Sequence, residues 1–399
     1  MRASDLSHDV RACLRHYPPP HEAHRGVVPS SPTRGPVGMG GPDVGRRVAE
    51  AERALVRLTA EFEHSKSAFA LTRILERQEA VSSSSIEGTQ STLDALLELE
   101  EDGVAGDETL ETRGVSIALD HGLRQIRKHG RGAFTTDMIL SIHSRLAEAI
   151  RGFRGAPGVI REDVVWIGGR GRDPSTSTWN PPPPADVSDC LEDTLRYMRD
   201  EPEEISQFSV IVRSAVAHAH FEAVHPFSDG NGRIGRLLIP LMFAADGMLP
   251  LYLSPWIEVH KLEYYQSLQA AQQRLDHSAI IDLLARAVIG TETEFNATLA
   301  AIDAVEADWN ATLKLRKNSA AQRTLFLLKS YPVLRARTLA DLLDVTFKAA
   351  SDGLMQLEDL GVVEERTGFS RNRIFAAPQM LKILTRPFGT DPRGLDSYD

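Results

Sequence analysis

The run His225-Pro226-Phe227-Ser228-Asp229-Gly230-Asn231-Gly232-Arg233-Ile234-Gly235-Arg236 leaves few folds open to this chain. It is a polar, glycine-punctuated stretch, and an apolar run from Leu237 to Ala245 follows directly. That order predicts a loop opening onto a helix, whose first backbone N–H groups lack partners and bind anions. Gly230 and Gly232 let the backbone turn sharply and approach a ligand closely. Arg233 and Arg236 are three residues apart, share one helix face and can both reach a polyphosphate. Asp229 is a hard oxygen ligand suited to Mg²⁺ bridging such a phosphate. His225 titrates near neutral pH, which suits a base that takes the proton of an incoming hydroxyl. Phosphate chemistry is what these parts have in common.

The run resembles the signature of the Fic family, H-x-F-x-[DE]-G-N-G-R-x-x-R, and meets it at every specified position. The resemblance implies a mainly α fold: a helical core with a short β-hairpin flap. It implies transfer of AMP from ATP to a Ser, Thr or Tyr hydroxyl of a protein target, or of the chain itself, releasing pyrophosphate. His225 is then the base. Asp229 holds Mg²⁺, and Gly230, Asn231 and Gly232 cradle phosphates that Arg233 and Arg236 clamp. Family members with lysine in place of the second glycine are phosphotransferases, so Gly232 implies the adenylylating orientation.

A second motif bears on the first. Ser82-Ser83-Ser84-Ser85-Ile86-Glu87-Gly88 reads, taken alone, as a linker or a set of helix caps. Beside a Fic core, Ser83, Glu87 and Gly88 resemble the family's inhibitory motif, [ST]-x-x-x-E-[GN]. The resemblance implies that Glu87 pairs with Arg236 and withholds it from the γ-phosphate. Val165-Trp166-Ile167-Gly168 lies where the family places its flap, with Arg161 and Pro182-Pro183-Pro184 resembling the flanks. Tyr264 and Gln272 lie where the family contacts adenine and ribose, although an aromatic at this spacing serves a core equally well. His218 and His220 are two apart and point to different helix faces, so they suit packing better than zinc. Two rival functions stay open: removal of AMP with Glu87 orienting a water, and a non-enzymatic nucleotide sensor that regulates through DNA.

The net charge of −10 argues against general coating of nucleic acid. Cys13 and Cys190 form no metal or disulfide pattern, which fits a reduced, cytoplasmic protein. No apolar run approaches membrane-spanning length. Residues 1–45 are rich in Pro, Gly and His and predict an extended arm. Helical periodicity runs through 46–110, the segment that the resemblance implies carries the inhibitory helix, and on through 111–305, the span that the resemblance implies for the Fic domain. Within it, Gly158 to Arg161 and Val164 to Ile167 read as strands around a turn at Gly168 to Arg172, and Pro181 to Pro184 as extended chain. Residues 318–386, joined by a hinge near 310–320 expected to carry few contacts, read as three helices and a hairpin around Thr367-Gly368, which is winged-helix order. Lys348, Arg366, Arg371 and Arg373 could meet DNA phosphates, but neighbouring acids nearly cancel them. DNA binding and a homodimer both stay open.

Overall fold

The computed structural model describes residues 1–32, 40–169, 173–201, 208–369 and 371–392. The flap tip, Arg170 to Arg172, and the tail from residue 393 lie outside the described residues.

The residues expected to form an arm fold back on themselves. A short helix, α1 (His8–Ala12), leads into β1 (Leu14–His16), which pairs antiparallel with β2 (Arg25–Val27). Three-residue strands carry too little alternation to be seen in a sequence. Tyr17, buried beside them, donates its hydroxyl to the Pro181 carbonyl at 2.7 Å, so this hairpin is stitched to the chain that follows the flap.

The helical body begins with α2 (Pro42–His64), which opens on a proline in its first turn and buries Val48, Ala51, Leu55, Leu58 and Phe62 along one stripe. After α3 (Lys66–Ala70) comes α4 (Thr72–Glu87), which Gly88 ends in the left-handed conformation at φ 102°. The serine run is thus no linker: Ser82, Ser83 and Ser84 are buried inside α4. Next come α5 (Leu93–Asp102), α6 (Asp107–His129) and α7 (Thr136–Glu148), the last capped by the Thr135 hydroxyl on the Met138 amide.

No regular strand forms over 158–161. Ile167 pairs with Trp179 in a single antiparallel bridge, which is all the regular β-structure of the flap among the described residues. Pro184, expected to be extended, instead opens α8 (Pro184–Met198), where its missing N–H is no loss. The core helix α9 (Val210–Val224) is buried on nearly every side, and the loop from His225 links it to α10 (Asn231–Ala245). Helix α10 runs on through Pro240. Then follow α11 (Ser254–Val259), α12 (Lys261–Arg274) and the long α13 (Ser278–Thr312), which lies along α2 and is tied to it by Arg57–Glu292 at 2.7 Å.

The C-terminal unit contains α14 (Ala320–Leu327), β3 (Val333–Arg335), α15 (Ala336–Leu343), α16 (Phe347–Asp359), β4 (Glu364–Glu365), β5 (Ile374–Ala376) and α17 (Pro378–Leu384). The sheet order is β3-β5-β4, all antiparallel, so a strand and a closing helix join the elements expected from sequence. The junction is far from bare. Lys329 is buried against Asp303 and Glu306 of α13, and Arg386 against Glu294. Arg73 and Gln78 of α4 reach the Ser330 and Leu384 carbonyls at 2.8 and 2.7 Å. One apolar core runs through both units. No helix among the described residues is long and apolar enough to cross a membrane.

Candidate active site

The loop from His225 to Gly230 is over-determined. His225 ends α9 with φ 51°, a left-handed conformation that costs a non-glycine residue. It is held there by its own amide on the Phe221 carbonyl, 2.9 Å, and by Arg161, whose Nε donates to the His225 carbonyl at 2.7 Å. Arg161 is buried and also donates to the carbonyls of Asp163 and Pro182, which links flap entry, flap exit and base. Burial pulls its pKa down to about 10.

Phe227 is fully buried and stacks on His143, ring centroids 3.7 Å apart and nearly parallel at 4°. Gly158 donates its amide to His143 Nδ1 at 2.9 Å, so Nε2 carries the proton and donates to the Asp229 carbonyl at 3.2 Å. Burial drives the His143 pKa down to about 4, which keeps this bridge in its neutral form. Arg161 is expected only as a flank of the flap, and His143 does not stand out in a sequence, because each does its work through backbone atoms of a distant segment.

Asn231 turns its side chain back onto its own loop. Its side chain donates to the Phe227 carbonyl at 2.8 Å and accepts from the Phe227 amide at 2.9 Å, closing the loop like a staple. The side chain of Asn231 is thus committed to the loop, which leaves its backbone amide for the expected cradling of phosphate. The backbone amides of Asn231, Gly232 and Arg233, the first turn of α10, stay without protein partners among the described residues. Asp229 accepts from the Gly230 amide at 2.7 Å and from Arg233 at 3.4 Å, both through Oδ1. Its Oδ2 accepts no hydrogen bond from the described residues, and a third of the side chain is open to solvent. Arg233, nearly buried, spends its other guanidinium nitrogen on Glu111 of α6, a partner unseen in the sequence.

Arg236 is 1% exposed and bound wholly by α4. Its Nε donates to the Ser83 hydroxyl at 3.0 Å, and its Nη2 to the Ser83 carbonyl and to Glu87 Oε1, each at 2.8 Å. Burial opposes ionisation of Glu87, yet the Arg236 guanidinium outweighs it and holds the carboxyl below its usual range. Gly232 makes this possible: a Cβ there would lie 2.2 Å from Glu87 Oε1.

Tyr264 is buried and hydrogen-bonds His218 Nε2 at 2.8 Å, so here it packs behind Arg236 rather than facing a nucleotide. Gln272 lines a separate small cavity beneath the N-terminal hairpin, with His220 and His277. The structure thus brings neither into the loop. His218 hydrogen-bonds Tyr264 and His220 hydrogen-bonds Thr194, each at 2.8 Å.

Val165, Trp166, Ile167 and Gly168 form one limb of the flap. The Ile167 amide donates to the Trp179 carbonyl at 2.8 Å, and the Thr178 amide to the Ile167 carbonyl at 2.8 Å. Gly168, at φ 68°, lies against Thr178 where a Cβ would come within 2.5 Å of the hydroxyl. The backbone of Val164 to Trp166 makes no hydrogen bond to the described residues, which leaves an open edge. Trp179, also missed in the sequence, is buried and donates Nε1 to the Ala223 carbonyl at 2.9 Å, anchoring the flap two residues before the base. Trp166 meets His21 of the N-terminal hairpin edge-on at 5.8 Å.

Comparison with known proteins fits this geometry. Residues 133–243 match the Fic/DOC family, and residues 46–124 match the Fic/DOC family N-terminal segment. A probable protein adenylyltransferase of Aquifex aeolicus is 28% identical over 182 residues, covering 44% of this chain and 50% of that protein. The protein adenylyltransferase fic-1 of Caenorhabditis elegans is 28% identical over 239 residues, covering 56% of this chain and 43% of its own length. The chain spans about half the length of the curated relatives it matches. Among solved structures, a Fic family protein from Desulfovibrio desulfuricans aligns with a TM-score of 0.53 and 22% identity over 86% of this chain and 98% of its own. The fold of that protein thus extends over most of this one. With the loop, the helix it opens and the N-terminal helix laid against it all matched, residues 46–124 and 133–243 of this chain form a Fic/DOC-type core.

Proposed function

We propose that this protein transfers AMP from ATP to hydroxyl groups of protein targets, and that Glu87 holds it in check. The observation that carries the reading is Arg236, buried at the start of α10 and bound by Ser83 and Glu87 of α4. A guanidinium placed beside three free helix amides is a phosphate site, and a carboxylate on it is a competitor for the same charge.

His225 takes the proton of the attacking hydroxyl, whose oxygen bonds to the α-phosphorus as the bond to pyrophosphate breaks. Burial lowers the His225 pKa to about 4, with Arg161 adding to it, so the ring is neutral and ready to accept at pH 7. The amides of Asn231 to Arg233 hold phosphate oxygens, and Arg233 and Arg236 oppose their growing charge. Catalysis of this kind is positioning plus electrostatics. Asp229, with Oδ2 free and the rest of the side chain fixed, suits Mg²⁺, which binds few carboxylates and takes its remaining ligands from phosphates and water. The ion would supply charge neutralisation at the phosphates. A target chain adding to the open edge at Val164 to Trp166 would present its hydroxyl to His225. Hydroxyl type, Mg²⁺ dependence and auto-inhibition all belong to this proposal.

The C-terminal unit reads as a winged helix that meets protein. Arg366 is spent on Asp94 at 2.7 Å, and Phe347 and Met355 of α16 are exposed, which suits an apolar partner better than DNA. Radiolabelled ATP decides the main reading: α-label should pass to protein in the presence of His225 and γ-label should not. Loss of label from modified protein would favour AMP removal instead, and no transfer in either direction would favour a sensor.

A further inference from the structure

Behind His225 lies a carboxyl group that the reaction above does not use. Glu222, one turn earlier on α9, is buried and places Oε2 3.9 Å from His225 Nδ1. Glu222 Oε1 and His225 Nδ1 are both buried and both without a hydrogen-bond partner, whereas buried polar atoms are nearly always paired. The room for this carboxyl comes from α10. A Cβ on Gly235 would lie 2.3 Å from Glu222 Oε1 and 3.2 Å from the His218 ring. No other carboxylate comes within 4 Å of the His225 ring nitrogens among the described residues.

We propose that Glu222 is the positioning residue of His225: its carboxyl keeps the proton on Nδ1, which leaves Nε2 free as base, and steadies the imidazolium formed when that base is used. The proposal rests on the AMP-transfer reading. A neutral imidazole carries one N–H and one lone pair, so a base acting through Nε2 needs its proton on Nδ1 and an acceptor there. The Glu222 backbone also lies close to the His225 ring and favours its protonated form. A modest closure of the gap completes the pair once substrate fills the site, since catalytic hydrogen bonds are often long before substrate binds.

The surroundings set the pH at which this works. Burial pushes Glu222 up to about 8, with Arg236 opposing and Glu87 adding to the rise. Tyr264 lies in the same field, as do His218, across Gly235, and Arg161, beside His225. Glu222 and His225 therefore titrate as a pair, and the carboxylate form, the one that accepts from Nδ1, gains population as pH rises through about 8.

The test uses the full chain in a Glu87→Gly background, with transfer followed from pH 6 to 9. Glu222→Gln should lower kcat about tenfold to a hundredfold, a part of the roughly 10²–10⁴ that a positioned base supplies. KM for ATP should stay put, and the rise in rate toward the alkaline side should disappear. Nitrogen NMR should show the His225 proton shifting off Nδ1. Gly235→Ala leaves the carboxyl in place chemically but pushes it aside, and should reproduce the same pH profile. Wild-type kcat and pH profile in a folded Glu222→Gln overturns the proposal. So does a loss that tracks a lowered melting temperature while the profile keeps its shape. Transfer surviving His225→Ala would instead overturn the AMP-transfer reading, whatever Glu222 does.

Discussion

The start of α10 and the flap bound the same space, yet they are held in opposite ways. The loop is locked by Arg161, His143, Phe227 and Asn231, each bonded to backbone or stacked in the core. The limb from Val164 to Gly168 hangs on one β-bridge, to Trp179, whose ring is buried. Groups that must meet a transition state within a fraction of an ångström are pre-set, because each misplaced donor loses its worth steeply. The edge that would receive a partner strand keeps its hydrogen-bonding groups unspent. Rigidity and openness sit side by side, at the two ends of one arginine, Arg161.

Changes to the loop should therefore alter chemistry, and changes to the flap should alter capture of the target. The largest effect is expected from His225→Ala, which should reduce AMP transfer by at least about 10²-fold while ATP binding, read by calorimetry, holds. A comparable loss in ATP affinity would place His225 in binding and blur the contrast. Glu87→Gly should raise transfer by about 30- to 1,000-fold, the effect of freeing an ion pair of roughly 2–4 kcal/mol. Adding Arg236→Ala should cancel that gain; an unchanged rate on Glu87→Gly alone would leave the pair a structural contact. Trp179→Ala removes a buried ring and should cost about 3–5 kcal/mol of stability, with KM for the protein target rising more than kcat falls. Equal loss of both would mean the flap shares the rigidity of the loop.

A smaller effect is expected from pH alone. His143 is held neutral with its pKa near 4, below the ordinary value for histidine. The unfolded chain then takes up the proton first, so this contribution to stability is complete above about 6.5 and is lost as pH falls toward 4. Thermal melts between pH 7 and 5 should show the decline, and His143→Asn should flatten it. The smallest change is expected from Arg366→Ala, whose partly exposed pair with Asp94 is worth about 0–1 kcal/mol.

The same contrast explains what could be read in the sequence. The loop was legible because its parts are contiguous, and Glu87 because its motif sits within one helix and its partner within another. The C-terminal helices followed their periodicity, and β3 escaped because three residues give no pattern. His143, Glu111 and Trp179 were not legible as site residues, and Arg161 only as a flank of the flap, since each acts across a long sequence gap on a partner that only folding supplies; Glu222 escaped because its room is made by Gly235 of another helix. The N-terminal hairpin and the helical start at Pro184 escaped for a related reason. Both are decided by what they pack on, the Pro181 carbonyl and the first turn of α8, and not by local propensity. Asn231 was legible through its place in the motif, but the bonds of its side chain to its own loop were not.

One absent methyl group at Gly232 has a consequence for how such a protein can change over generations. The gap that lets Glu87 in is the gap through which α10 offers its first amides. Under the proposed reading, any side chain at 232 would evict the brake and crowd the seat of the phosphates in the same step. A lineage could then not lose restraint there and keep the proposed activity. Unrestrained descendants would arise more readily from the α4 side, by change at Ser83 or Glu87, which leaves the first amides of α10 untouched.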